Sequence, residues 1–166
     1  TGNVTRGTTI LQAVRQSVAP GVTVDYSPDG ANLSGADAVV VVIGEQPYAE
    51  MKGDRSDLHL PAADVELVQT AKRTGVPVVT VLLSGRPLVL GDALTTSDAF
   101  VAAWLPGTEG SGVADVLLGR YAPTGKLPRA WPRDNAQTSV LAMTEQPPLF
   151  PIGFGLSYGH LEAASH

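Results

Sequence analysis

The sequence predicts an α/β fold: a mostly parallel sheet with helices on both faces. Three observations predict it. Residues 37–43 (DAVVVVI), 78–83 (VVTVLL) and 98–105 (DAFVAAWL) are short apolar runs, the first two dense in β-branched residues, which is the pattern of strands buried on both faces. Segments of helical periodicity separate them, and strands that alternate with helices pair in parallel through right-handed crossovers. Each run ends in a glycine-bearing loop: GEQPYAEMKGDR, SGRPL or PGTEGSG. Parallel order would gather the three loops at one edge of the sheet, beyond the carboxyl ends of the strands, where such sheets bind ligands.

Taken in order, residues 8–19 (TTILQAVRQSVA) space Ile10, Leu11, Val14 and Val18 along one helix face. The threonines ahead of them supply an N-cap, and Pro20-Gly21 a stop. Residues 22–26 (VTVDY) read as a short β segment. Residues 61–74 read as a helix with proline in the first turn, apolar Val65, Leu67, Val68 and Ala71, and Gly75 as its stop. In residues 98–105, Ala99, Val101 and Ala103 alternate with Phe100, Ala102 and Trp104. Residues 110–118 form a short helix that Gly119 ends. From 120 to 159 the chain turns rich in proline, glycine and aromatics, which predicts irregular packed segments of the same domain.

The 166 residues suit one domain. They are 43% hydrophobic and 16% charged, enough to bury a core and too apolar for disorder. Eleven Lys and Arg stand against sixteen Asp and Glu, a net charge of −5. That balance, without a basic run, argues against a nucleic-acid partner, because phosphate binding needs a basic footprint. The absence of cysteine excludes disulfides, thiol catalysis and Cys-based zinc sites. No apolar stretch reaches the roughly 18 residues of a membrane span. The amino-terminal TGNVTRGTTI is no signal peptide, and HLEAASH at the other end carries no apolar pattern.

The loop after the first strand run, residues 44–61 (GEQPYAEMKGDRSDLHLP), sets two glutamates, Glu45 and Glu50, five residues apart. One reading is an ordinary solvated connection. The other is a carboxyl with a chemical task, since functional groups collect beyond strand ends and either glutamate could act as a general acid in a site that raises its pKa. Retaining glycosidases need a second carboxyl about 5–5.5 Å away, and inverting ones one at roughly 6.5–9.5 Å. GTEGSG, residues 107–112, could cradle an anion at a helix start, or simply give a tight strand-to-helix turn. It has neither the dinucleotide spacing nor the Lys-Ser/Thr ending of a P-loop. GLSYG, residues 155–159, fits the letters of a nucleophile elbow but lacks the flanking strand and helix, and no Asp follows Ser157. His59, His160 and His166 have no metal-ligand spacing and read as surface residues.

Five segments together resemble the C-terminal α/β sandwich domain of glycoside hydrolase family 3, the β-glucosidases and exo-acting β-glucanases. They are VVVVIGEQPYAEMKGDRSDLHLP, VVTVLLSGRPLVL, AFVAAWLPGTEGSGVADVLLG, PTGKLPRAWP and PLFPIGFGLSYG, in the family's order, across residues 7–159. YAEMKGDR is most similar to the exo-β-glucanase branch. The resemblance implies a flavodoxin-like (α/β)6 sandwich over 1–166, with 120–159 as its irregular C-terminal part. It implies that Glu50 is the general acid/base and that the nucleophilic aspartate sits on a (β/α)8 barrel. It further implies loop-structuring roles for Glu45, through backbone N–H groups, and for Asp54, paired with Arg55. Tyr48 and Arg55 become candidate substrate contacts. No metal and no cofactor is implied.

A barrel takes about 250 residues by itself. The resemblance therefore implies a fragment whose partners are the N-terminal barrel of the same protein and a β-linked glucoside, with no nucleic acid and no membrane. Family habit implies secretion or a periplasmic location. A non-catalytic α/β module that binds sugar or protein is the alternative. An intact AEMKGD segment favours the enzyme, because a binding module has little use for it.

Overall fold

The computed structural model describes residues 5–48, 51–138 and 146–159. It divides into two compact units. The larger comprises residues 27–105 and 130–151. The smaller comprises 1–26, 106–129 and 152–166.

The larger unit is a parallel three-stranded sheet in the order β1-β2-β3: β1 Val39–Gly44, β2 Val78–Leu83 and β3 Ala99–Trp104. Val39 lies opposite Val78, and Val79 opposite Ala99. Parallel neighbours need a crossover. These are α2, Ala62–Lys72, between β1 and β2, and α3, Asp92–Thr96, between β2 and β3. α2 packs on β1 and β2, and α3 packs on α2. The core holds Val39, Val41 and Ile43 of β1, Val68 and Ala71 of α2, Val78, Val81 and Leu82 of β2, and Leu88, Val89, Leu90 and Ala93 between β2 and β3. Burying an aliphatic side chain of this kind stabilises by about 1.5–3 kcal/mol.

β1 and β3 correct one expectation. No residue of β3 is fully buried. The burial of β1 alternates, and Val40 and Val42 are 44% and 41% exposed. Among the described residues β1 lies at the edge of the sheet, and successive side chains of a strand point to opposite faces. An unbroken valine run fits either face and cannot tell which is covered. α3 has five residues, too few to show a helical period, and the sequence pattern missed it.

Lys72 and Asp98 tie the end of α2 to the start of β3. Lys72 Nζ lies 2.7 Å from both carboxylate oxygens of Asp98, and Val78 N–H donates to Asp98 Oδ2 at 2.8 Å. The Lys72 ammonium, and after it the Val78 amide, hold the Asp98 carboxyl below its ordinary range. A depressed carboxyl stabilises the fold above its unfolded pKa of about 3.9, and the contribution is lost as pH falls through the lower folded value. Asp98→Asn is expected to flatten the decline in urea midpoint between about pH 5 and pH 2. An acid limb as steep as that of the parent would contradict this.

In the smaller unit α1, Ile10–Ser17, packs on α4, Gly110–Leu117. Thr9 caps α1 in a reciprocal box: Gln12 N–H donates to Thr9 Oγ1 at 3.1 Å, and Thr9 N–H to Gln12 Oε1 at 3.0 Å. Residues 22–26 form no strand. The segment pairs with no other strand among the described residues, and Val24 O instead accepts from the Arg15 guanidinium at 3.4 Å. GTEGSG is a strand-to-helix turn tied to its own chain. Thr8 N–H donates to Thr108 O, and Gly110 N–H to Thr8 O, both at 3.0 Å. GLSYG is irregular and no elbow. Lys126 Nζ donates to Gly155 O at 2.6 Å, and the Tyr158 hydroxyl donates to Val116 O.

Candidate active site

The site grows from the end of β1. Asp64, in the first turn of α2, accepts the Gly44 N–H, and burial raises its carboxyl pKa against that bond. Glu45 N–H donates to Leu83 O at 3.0 Å. These bonds fix where the loop leaves the sheet.

The Glu45 side chain, 6% exposed, is the hub of the loop. Its Oε1 accepts from Arg55 Nη2 at 3.1 Å and from Arg86 Nε at 3.0 Å. Its Oε2 lies 3.3 Å from the Tyr48 hydroxyl, which donates to it. Among the described residues Glu45 thus gathers side chains where backbone amides were expected. Arg55 pairs with Glu45 where Asp54 was expected. Asp54 enters through its backbone, its N–H donating to Met51 O at 3.0 Å to close a turn. Met51 starts that turn at φ 41°, in the left-handed region unusual for a side chain of its size. Glu50 lies outside the described residues, as do His160 and His166.

Tyr48 is seated by absent side chains. A Cβ on Gly53 would overlap its ring, and one on Gly85 would fall 2.8 Å from its hydroxyl. The Arg86 guanidinium stacks 4.4 Å from the ring centre, a favourable cation–π distance. Arg86 went unnoticed in the sequence beyond its place in SGRPL. The signal that could have found it is a charged residue directly past a buried strand.

The far end of the loop is anchored separately. Leu58 N–H donates to Asn135 Oδ1 at 2.9 Å, and Asn135 Nδ2 donates to Asp57 Oδ1 at 2.9 Å. His59 Nδ1 lies 2.6 Å from the same Asp57 oxygen. The Asn135 amide is the main cause holding the Asp57 carboxyl well below the usual carboxylate range, with the His59 N–H and ring adding to it. These residues lock the loop to the 3-10 turn at Asn135–Thr138.

So the loops at 44–60 and 84–88 meet at one edge of the sheet, as parallel order requires. The third, 106–112, belongs to the smaller unit. Among the described residues no group of three or more His, Asp or Glu could hold a metal ion, and no helix is long and apolar enough to cross a membrane.

The family model for the glycosyl hydrolase family 3 C-terminal domain matches residues 1–158. The chain belongs to that family. It is 38% identical over 147 residues to a periplasmic beta-glucosidase of Salmonella typhimurium, covering 74% of this chain and 19% of that protein. It is 41% identical over 131 residues to a lysosomal beta glucosidase of Dictyostelium discoideum, covering 74% and 16%. The structure of an exo-1,3/1,4-beta-glucanase from a Pseudoalteromonas species superposes with a TM-score of 0.83 at 42% identity, over 91% of this chain and 20% of that one. A Listeria innocua beta-glucosidase in complex with glucose superposes at 0.68 and 30% identity, over 78% and 21%. This family 3 domain therefore spans about a fifth of the length of the relatives it matches.

Proposed function

We propose that this family 3 domain supplies the general acid/base to a retaining exo-acting β-glucosidase or β-glucanase, from an active site shared with a barrel domain outside this chain. Glu50 protonates the leaving oxygen while an aspartate of the barrel attacks the anomeric carbon. It then deprotonates the water that frees the sugar. Membership of the family with YAEMKGDR intact beyond β1 carries this reading. The substrate is a β-linked glucoside, as the names of the relatives suggest, and the enzyme works outside the cytoplasm.

Surface chemistry at the site supports a shared pocket. Met51, Leu105 and Tyr48 are 83%, 73% and 44% exposed around the loop end, and exposed apolar surface of this kind marks a partner. Tyr48 and Arg55 are the described residues of the loop that could also face the sugar.

The isolated chain is expected to leave aryl β-glucosides intact, because an acid/base without its nucleophile forms no glycosyl-enzyme. A protein joining this domain to its barrel should hydrolyse them with retention of anomeric configuration, followed by proton NMR. Hydrolysis by the isolated chain, or inversion by the joined protein, would refute the reading. Sugar binding without any turnover in the joined protein would favour the binding module.

A further inference from the structure

Arg86 makes two contacts at once, an ion pair to Glu45 at 3.0 Å and a stack on the Tyr48 ring at 4.4 Å. The backbone beneath it is held from three sides. Ser84, 2% exposed, receives its place from its N–H bond to Trp104 O at 3.1 Å. The Ser84 hydroxyl donates to Arg86 O at 2.8 Å. Pro87 follows, and Leu88, Val89 and Leu90 are buried, with Leu88 O accepting from Trp131 Nε1 at 2.7 Å. Arg86 is thus a rigid post at the end of β2.

From that post the contacts run into the loop on both flanks of residues 49–50. Glu45 and Arg55, one on each side of those residues, are joined at 3.1 Å. Tyr48, just ahead of those residues, is clasped by Arg86, Gly85 and Gly53, and Gly53 lies just beyond them. We infer that Arg86, acting through Glu45 and Tyr48, is a positioning residue that latches the acid/base loop to the end of β2. The inference rests on the reading of Glu50 as general acid/base. Lysine would serve only in part, because only the planar guanidinium can bond a carboxylate through its edge and stack on a ring through its face at once.

Two measurements test it. Hydrogen exchange of the chain by mass spectrometry reads the latch alone. Arg86→Ala should speed exchange of amides at 45–55 about tenfold or more, as expected when local openings become easier, with Arg86→Lys between it and the parent. Strands β1 and β2 should stay protected. Kinetics of the protein joined to its barrel read the positioning. Misplacing a reacting group by about 1 Å costs on the order of 10²-fold. Arg86→Ala should therefore lose about 10–100-fold in kcat/KM on glucosides with poor leaving groups and only a few-fold on a dinitrophenyl glucoside. In a Glu50→Ala background the same change should add nothing, since the two residues then act as one unit.

Unchanged exchange at 45–55 would overturn the latch even with Glu50 confirmed. A loss equal for all leaving groups, or one persisting beside Glu50→Ala, would reduce Arg86 to a structural residue. If Glu50→Ala alone shows no leaving-group dependence, the acid/base reading falls and takes the positioning role with it, while exchange still reports the latch.

Discussion

Glu50→Ala, in the protein joined to its barrel, is expected to cost about 10²–10⁴-fold in turnover of glucosides with poor leaving groups, the usual worth of general acid/base catalysis. The reason lies in what the leaving oxygen needs. An alkoxide departs only as a proton arrives, whereas a dinitrophenolate departs unaided. The first step on an activated aryl glucoside should therefore survive, and the glycosyl-enzyme should accumulate. Azide should then restore turnover and yield glucosyl azide, because an anionic nucleophile needs no general base. Glu45→Ala should behave differently. It removes the shared partner of Arg55, Arg86 and Tyr48, so through loop order it should blunt acid catalysis as Arg86→Ala does, and incompletely. Azide rescue larger for Glu45→Ala than for Glu50→Ala would reverse the assignment of the acid/base.

Trp131→Ala is expected to destabilise the fold by about 3–5 kcal/mol, as for other buried aromatic-to-alanine substitutions. Trp131 is 2% exposed and meets Trp104 with ring centroids 5.8 Å apart. Its backbone exchanges bonds with the segment opposite, Trp131 N–H to Phe150 O at 2.8 Å and Leu149 N–H to Trp131 O at 2.9 Å. Removing the indole opens a cavity and leaves Leu88 O without its donor. The carbonyl matters beyond stability, since it anchors the loop that carries Arg86. Trp131→Phe should recover part of the packing and none of that bond. Denaturant unfolding of the three proteins measures the order, parent above Trp131→Phe above Trp131→Ala. A loss under about 1 kcal/mol for alanine would mean that residues 130–151 contribute little to the core, against a total domain stability of about 5–15 kcal/mol.

Trp104 carries a related strain. Its φ of 53° places a bulky aromatic in the left-handed region, a conformation that costs on the order of 1–3 kcal/mol and persists where the surroundings enforce it. The Trp131 ring and the Ser84 N–H bond to Trp104 O are those surroundings. The strained residue thus stands at the strand end beside the site.

The class of fold, the three parallel strands and the family could all be read from the sequence. Each rests on short-range information: apolar runs of strand length, helical spacing between them, turn residues at their ends, and motifs in a set order. It also marked the loop beyond β1 as the place to look. It could not say that β1 has one open face, because side-chain period does not report which face finds a partner. It missed α3, too short to show a period, and read a strand at 22–26, where β propensity exists but no neighbour pairs. Above all it assigned Glu45 and Arg55 to partners near them in the chain, backbone amides and Asp54. The folded chain pairs them differently. Parallel pairing puts Glu45 and Arg86, 41 residues apart, at the same strand-end edge. A carboxylate buried there satisfies itself with the cations that topology delivers, not with those adjacent in sequence.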